Sequence, residues 1–336
     1  MSLTAPDRPH QHRDLDGSGL LVNPRPITPG PIAVEPSQNP LFVDAVTRAG
    51  GVVAPISADT RGLMWLSEKR AVELAAILQN NPQIEWVQLP WAGVDGFAEI
   101  FAGLDHDSAP VFTSAKGSYS EPVAEHALTL ALALAREIPS KAREARWASA
   151  RTGLSLYGNS VVIIGAGGIT TELVSLWAPF RPHITVVRRH DVPVPGAQRT
   201  VTVDRLHEVL ATADVVIVAA AATAATHHLL NEATLGLLPT HAIVVNIARG
   251  SLLDTDAALS ALREERLWGL GLDVTDPEPL PADHPLWDEP RCVITSHSAD
   301  TPLMTAHLLA TRISDNVAAF LAGRDLRGIV DTRAGY

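Results

Sequence analysis

The chain has 336 residues, enough for two domains of ordinary size with separate cores. Hydrophobic residues make up 46% and charged residues 19%, a globular composition that excludes a disordered chain. The formal net charge of −11, from 37 acidic and 26 basic residues, argues against nucleic acid or an anionic membrane as the main partner, while leaving room for an anionic substrate in a small basic pocket.

Residues 1–30 are polar, rich in Pro and His, and read as a loosely held arm. Residues 32–34 then form a short apolar strand, and 41–48 a helix ended by Gly50-Gly51. Strands are expected at 52–55 and 63–66, a helix at 69–78 and a further strand at 86–89. This alternation predicts a parallel sheet covered by helices. A long helix follows, with Pro122 in its first turn, where a missing N–H costs nothing. Val123, Ala127, Leu130 and Leu134 line one face of it, and Pro139 lies just past its end.

A second alternating series places strands at 161–164, 184–187, 215–218, 243–246, 270–274 and 293–295. Several are continuous apolar runs, as strands buried on both faces require. The expected fold class is α/β. A Rossmann-type dinucleotide-binding domain at 121–302 is inserted in a flavodoxin-like, doubly wound substrate domain made of 1–120 and 303–336. The last helix, about 302–321, carries the chain back to the first domain.

The strand at 161–164 runs into Gly165-Ala166-Gly167-Gly168-Ile169-Thr170. Gly165 permits a tight turn, Gly167 lets backbone approach a pyrophosphate, and Gly168 and Ile169 open a helix whose unpaired N–H groups face phosphate. Thr170 stands where a third glycine is usual. At the end of the next strand an NAD site usually carries an acid for the ribose 2′-hydroxyl. Arg188 and Arg189 occupy that position here, which suits a 2′-phosphate and favours NADP(H) over NAD(H).

Three groups lie at or after the later strand ends: Arg249 in Asn246-Ile247-Ala248-Arg249-Gly250, Glu278 between Pro277 and Pro279, and His297 after Thr295-Ser296. Open parallel sheets bind ligands at those ends, so the three are expected to converge. Hydride transfer to a 2-oxo acid needs a histidinium to protonate the carbonyl oxygen. It also needs a carboxylate to stabilise and orient that ring, and an arginine to hold the substrate carboxylate or polarise the carbonyl. Taken singly, each residue has an ordinary reading: one histidine among 13, a salt-bridge arginine, an exposed loop acid.

In combination the motifs are specific. Trp91-Ala92-Gly93-Val94-Asp95, Lys116-Gly117 and Pro122-Val123-Ala124-Glu125-His126 come first, followed by the glycine turn and Asn246–Gly250. Gly271-Leu272-Asp273-Val274, Glu278-Pro279-Leu280, His284-Pro285-Leu286-Trp287 and Thr295-Ser296-His297 complete the order. Over about 50–310 the chain resembles the D-isomer-specific 2-hydroxyacid dehydrogenases, including glyoxylate/hydroxypyruvate reductases and phosphoglycerate dehydrogenases. The resemblance implies that Arg249 contacts the substrate carboxylate and carbonyl, and that His297 is the acid/base with Glu278 as its partner. It implies that the backbone of Ala92, Gly93 and Val94 binds the substrate carboxylate and that Asp273 meets the nicotinamide carboxamide. It also implies a hinged two-domain architecture and a homodimer formed through the cofactor domain. His126 and Glu125 read as structural, and the run Ser114–Ser118 has no assigned role. Asp300 stands near where the family commonly has a small residue. The absence of a regulatory domain after the last helix disfavours a serine-regulated phosphoglycerate dehydrogenase, and Glu278, where formate dehydrogenases usually carry Gln, disfavours that activity.

The expected activity is reduction of small 2-oxo acids such as glyoxylate or hydroxypyruvate. The competing reading is a non-enzymatic cofactor-sensing or partner-binding protein on the same scaffold, motivated by the imperfect glycine turn. The single cysteine, Cys292, allows no intrachain disulfide and fits a reducing compartment. The N-terminus lacks a basic segment followed by an apolar one, and the apolar runs are too short to span a bilayer, so a cytoplasmic protein is expected. No metal ligand is assigned.

Overall fold

The structure, a computed structural model, describes residues 22–106, 108–147 and 151–335. The chain divides into two compact units, 1–121 with 301–336, and 122–300. Of the expected arm, residues 1–21 lie outside the described residues. Residues 22–30 are held rather than loose: Asn23, Arg25 and Thr28 all bond to distant parts of unit one, and Ile27 is buried.

Unit one begins β1 (Ile32–Glu35), α1 (Pro40–Arg48), β2 (Gly62–Trp65), α2 (Ala71–Asn80), β3 (Trp86–Gln88), α3 (Ala98–Ala102) and β4 (Val111–Thr113). Asn39 caps α1 by accepting from the Leu41 N–H at 3.0 Å, Pro40 opens it, and Gly50 at φ +90° follows its end. The four strands form a parallel sheet in the order β1-β2-β3-β4. The strand expected at 52–55 is a correction. Val53 makes a single parallel bridge to Ile32, with Ile32 N–H donating to Val52 at 2.9 Å and Ala54 N–H donating to Ile32 at 3.1 Å. The chain bends at Ile56, the next donor in this register, and Ile56 makes no bond to β1. Even so, this segment lies beside β1 and gives the sheet edge the 2-1-3-4-5 sense of a flavodoxin-like layer.

The chain enters unit two within the first turn of α4 (Ser120–Ala135), followed by α5 (Ile138–Lys141). Then come β5 (Ser160–Ile164), α6 (Gly168–Trp177), β6 (His183–Arg188), β7 (Arg199–Thr202), α7 (Leu206–Leu210) and β8 (Val215–Val218). The unit closes with α8 (Glu232–Leu235), β9 (Ile243–Asn246), α9 (Thr255–Arg263), β10 (Gly269–Leu272) and β11 (Cys292–Ile294). Seven parallel strands lie in the order β11-β10-β9-β8-β5-β6-β7. The chain reverses direction across the sheet between β5 and β8, so a crevice opens outside their carboxyl ends. β8 and β9 are buried along their whole length, which explains the unbroken apolar sequence of β8 and the Ile-Val-Val run that opens β9.

The return helix α10 (Pro302–Leu321) belongs to unit one. Its Arg312 is fully buried, and the guanidinium donates to the carbonyls of Ser114 and Lys116 at 3.2 and 3.0 Å. This anchors the run Ser114–Ser118, to which its sequence assigns no role. Among the described residues, no helix is long and apolar enough to cross a membrane.

Candidate active site

The glycine turn sits at the switch point of the seven-stranded sheet. Gly165 follows β5 at φ +118°, and a Cβ there would lie 2.3 Å from the carbonyl oxygen of Ala219, the residue after β8. Only glycine meets both demands. A Cβ on Gly167 would meet nothing within 4 Å, so open space borders the N-terminus of α6. Thr170 does not disturb the turn. It is fully buried in α6, and its hydroxyl donates to the Gly165 carbonyl at 3.0 Å.

Arg188 closes β6, next to Val187, whose carbonyl accepts from Gly165 N–H at 2.8 Å. The Arg188 guanidinium donates to the Val192 carbonyl at 2.9 Å and is half-buried, while Arg189 is exposed and contacts His190 at 3.1 Å. Open space at Gly167, the unpaired first N–H groups of α6 and two cations at the end of β6 fit a dinucleotide's phosphates.

Three loops carry the remaining groups, all after the carboxyl ends of β9, β10 and β11. Fully buried Asn246 clamps the first: its carboxamide accepts from Ala248 N–H at 3.1 Å and donates to the Arg249 carbonyl at 2.9 Å. Arg249 itself is half-buried. Gly250 then lies hard against the next loop, for a Cβ there would come within 1.9 Å of the Thr275 carbonyl oxygen.

Asp273, 2% exposed, organises the third loop. Its carboxylate accepts from the Thr295 hydroxyl at 2.6 Å, Ser298 N–H at 2.8 Å and Ala299 N–H at 3.1 Å, and its backbone carbonyl accepts from His297 N–H at 2.5 Å. Because the Thr295 hydrogen goes to Asp273, His126 on α4 must donate from Nε2 to Thr295 Oγ1 at 2.8 Å. His126 therefore supports the loop through Thr295. Sequence reasoning classes it only as structural; its signal is the Pro122–His126 motif.

These bonds hold Ser296 and His297 at φ +51° and +54°, a left-handed conformation unfavourable for non-glycine residues. The ring of His297 reaches Glu278: Nδ1 lies 2.7 Å from Oε1, with both side chains partly open to solvent. Asp300 joins the cluster. Burial pushes its carboxyl up to about 6, a rise reinforced by Asp273 and opposed by the charges of His297 and Arg249. Arg249, Asp273, His297 and Asp300 thus share one electrostatic neighbourhood, with Glu278 joined to it through His297.

In unit one, the turn 91–94 is pinned from behind. Ala115 N–H donates to the Trp91 carbonyl at 2.9 Å, and the Tyr119 hydroxyl donates to Pro90 at 2.8 Å. Val94 is buried in the core, whereas Ala92 and Gly93 are half-buried. Among the described residues, the N–H groups of Ala92, Gly93 and Val94 meet no protein acceptor.

The sequence profile of the D-isomer specific 2-hydroxyacid dehydrogenase NAD binding domain matches residues 128–299, just over half of the chain and wholly within unit two. The chain belongs to the D-isomer specific 2-hydroxyacid dehydrogenase family.

Relatives agree. An uncharacterized protein in the proB 3′ region of Corynebacterium melassecola is 36% identical over 259 residues, covering 75% of this chain and 84% of its own length. A glyoxylate reductase of Korarchaeum cryptofilum is 30% identical over 222 residues, 63% of this chain and 66% of that protein. A solved D-isomer specific 2-hydroxyacid dehydrogenase family protein from Aeromonas salmonicida subsp. salmonicida A449 superimposes with a TM-score of 0.77 at 25% identity, covering 90% of this chain and 99% of that one. The chain spans about half the length of the mycobacterial D-3-phosphoglycerate dehydrogenases it also matches. As a 2-hydroxyacid dehydrogenase it is an NAD(P)-dependent oxidoreductase with a Rossmann cofactor domain.

Proposed function

We propose that the chain reduces a small 2-oxo acid, of the size of glyoxylate or hydroxypyruvate, with NADP(H) preferred over NAD(H). The observation that carries this reading is the 2.7 Å contact between His297 Nδ1 and Glu278 Oε1. With Nδ1–H committed to the carboxylate, the transferable proton resides on Nε2. His297 then gives that proton to the substrate carbonyl oxygen in reduction and retrieves it in the reverse direction. The bound nicotinamide supplies or accepts the hydride at the same carbon. Arg249 binds the substrate carboxylate and polarises the carbonyl, and the open N–H groups of Ala92, Gly93 and Val94 in unit one, the proposed substrate domain, bond a substrate carboxylate oxygen. Asp273 positions His297 by holding its turn, and the nicotinamide-carboxamide contact implied by the family belongs to the same reading.

On the cofactor side, Gly165, Gly167, Gly168 and Ile169 face the pyrophosphate. Arg188 and Arg189 replace the acid that would bond a ribose 2′-hydroxyl, and their positive charge supports a 2′-phosphate. The non-enzymatic alternative rested on a defective glycine turn, and the seating of Thr170 removes that motive. A homodimer through unit two and a cytoplasmic location complete the proposal.

Titration with NADPH and NADH, followed by a panel of 2-oxo acids with the better binder, tests it. Tighter NADPH binding, turnover with a short 2-oxo acid and an approximately tenfold or greater loss of NADPH affinity in Arg188→Ala are expected, about 1.4 kcal/mol or more. Equal affinity for both cofactors, unchanged in Arg188→Ala, would remove the NADP(H) preference; no turnover across the panel would remove the substrate class.

A further inference from the structure

A second cluster is built from groups the proposed reaction does not use. His227 and His228 sit in the connection from β8 to α8, and Asp276 in the loop after β10. One ring nitrogen from each histidine and one carboxylate oxygen of Asp276 all lie within 4.8 Å of one another. Two ligands on a common zinc ion stand roughly 3–3.5 Å apart, given bonds of about 2.0–2.2 Å, so side-chain rotation is required to bring the three together. The two imidazoles are stacked, with centroids 4.0 Å apart and planes 22° from parallel, so their in-plane lone pairs converge on one ion once one ring turns about its side-chain torsions.

The backbone carrying these side chains is fixed before any ligand arrives. His228 is held at φ +47°. Its N–H donates to the Ser251 carbonyl at 2.8 Å, and its own carbonyl accepts from Asn231 Nδ2 at 3.0 Å. Asp276 is fastened at its carbonyl by the Thr255 hydroxyl at 2.8 Å. Between them runs the Gly250-Ser251 turn, so close that a Cβ on Gly250 would stand 2.6 Å from the Asp276 nitrogen. The turn thus bonds one ligand segment and abuts the other. Asp254, which caps α9, puts a second carboxylate 3.9 Å from His228 Nδ1, the kind of outer charge that orients a ligating imidazole.

We propose that His227, His228 and Asp276 bind one divalent transition-metal ion. Two imidazoles and one carboxylate suit the zinc, cobalt, nickel and copper class and disfavour calcium or magnesium, which take oxygen ligands. Water fills the remaining coordination positions, since His227 and Asp276 are exposed. The ion ties the β8–α8 connection to the loop that carries Glu278 two residues after Asp276. The proposal is independent of the hydride-transfer reading, and its test reads metal binding rather than turnover.

Calorimetric titration of the full chain with zinc at neutral pH, alongside thermal unfolding, is the test. His227→Ala and Asp276→Asn are the variants, chosen because both side chains are exposed and neither is assigned to catalysis. One saturable site in the micromolar range is expected, with a rise in Tm. Affinity should fall by roughly 10–100-fold in each variant, and the Tm rise should be lost. Absence of saturable binding overturns the proposal. So does unchanged affinity in both variants, which would put the ion on other histidines of the 13 in the chain.

Discussion

A carboxyl group that burial pushes up to about 6, as at Asp300, stays protonated in the folded chain at pH values where the unfolded chain, titrating near 3.8, has released its proton. The folded state therefore binds more protons between about pH 4 and 6, and the stability contribution of Asp300 falls as pH rises through that window. Asp300→Asn keeps the neutral shape without the charge. It should be more stable than the parent above pH 6, by about 1–3 kcal/mol at most, and no different near pH 4. Denaturant unfolding of both proteins at about pH 7.5 and about pH 4 checks this. A variant equally stable with the parent at both values would place the carboxylate in water. At this scale Arg249, Glu278 and His297 stand out as candidates only through the ordered set of motifs, and the structure brings His297 and Glu278 to 2.7 Å. The His126–Thr295–Asp273 chain was not legible, because His126 stands 169 positions from Thr295 and such a bond leaves no local pattern.

The glycine turn before α6 separates two demands that a sequence motif merges. Gly165 is required by the fold, since a side chain at φ +118° would collide with Ala219 on the neighbouring strand end. Gly167 borders open space, so its smallness serves whatever approaches from outside. Gly165→Ala should therefore lower Tm markedly, whereas Gly167→Ala should leave Tm nearly unchanged and weaken dinucleotide binding. Thermal melts with parallel cofactor titrations check the pair, and equal destabilisation by both would contradict the distinction. Most strands of unit two were legible because burial on both faces demands unbroken apolar runs, as in Val215–Val218 and residues 243–245. The edge strand β7 (Arg199–Thr202) was not, since only Val201 is buried and polar neighbours hide the pattern. β4 (Val111–Thr113) escaped through shortness. At 52–55 the opposite error arose: apolar residues suggested a strand, but the chain bends away at Ile56 after one bridge.

Across the whole molecule, alternating helices and strands were enough to indicate two parallel-sheet units, and α10 returns the chain to the unit it started from. Sheet order was recoverable only by analogy, because it depends on which buried runs pair, and apolar runs of similar length carry no label. The seven-stranded sheet puts the glycine turn, Arg249, Asp273, Glu278 and His297 after the carboxyl ends of its strands, although they span more than a hundred residues of sequence. In the proposed reaction this edge performs hydride transfer, with His297 as the proton carrier. Steady-state oxidation of NADPH by glyoxylate and hydroxypyruvate, compared between the parent and His297→Asn, tests it most directly. Turnover is expected in the parent, with a fall in kcat of roughly 10²–10⁴-fold in the variant and unchanged NADPH affinity. Equal turnover in the two proteins would contradict it.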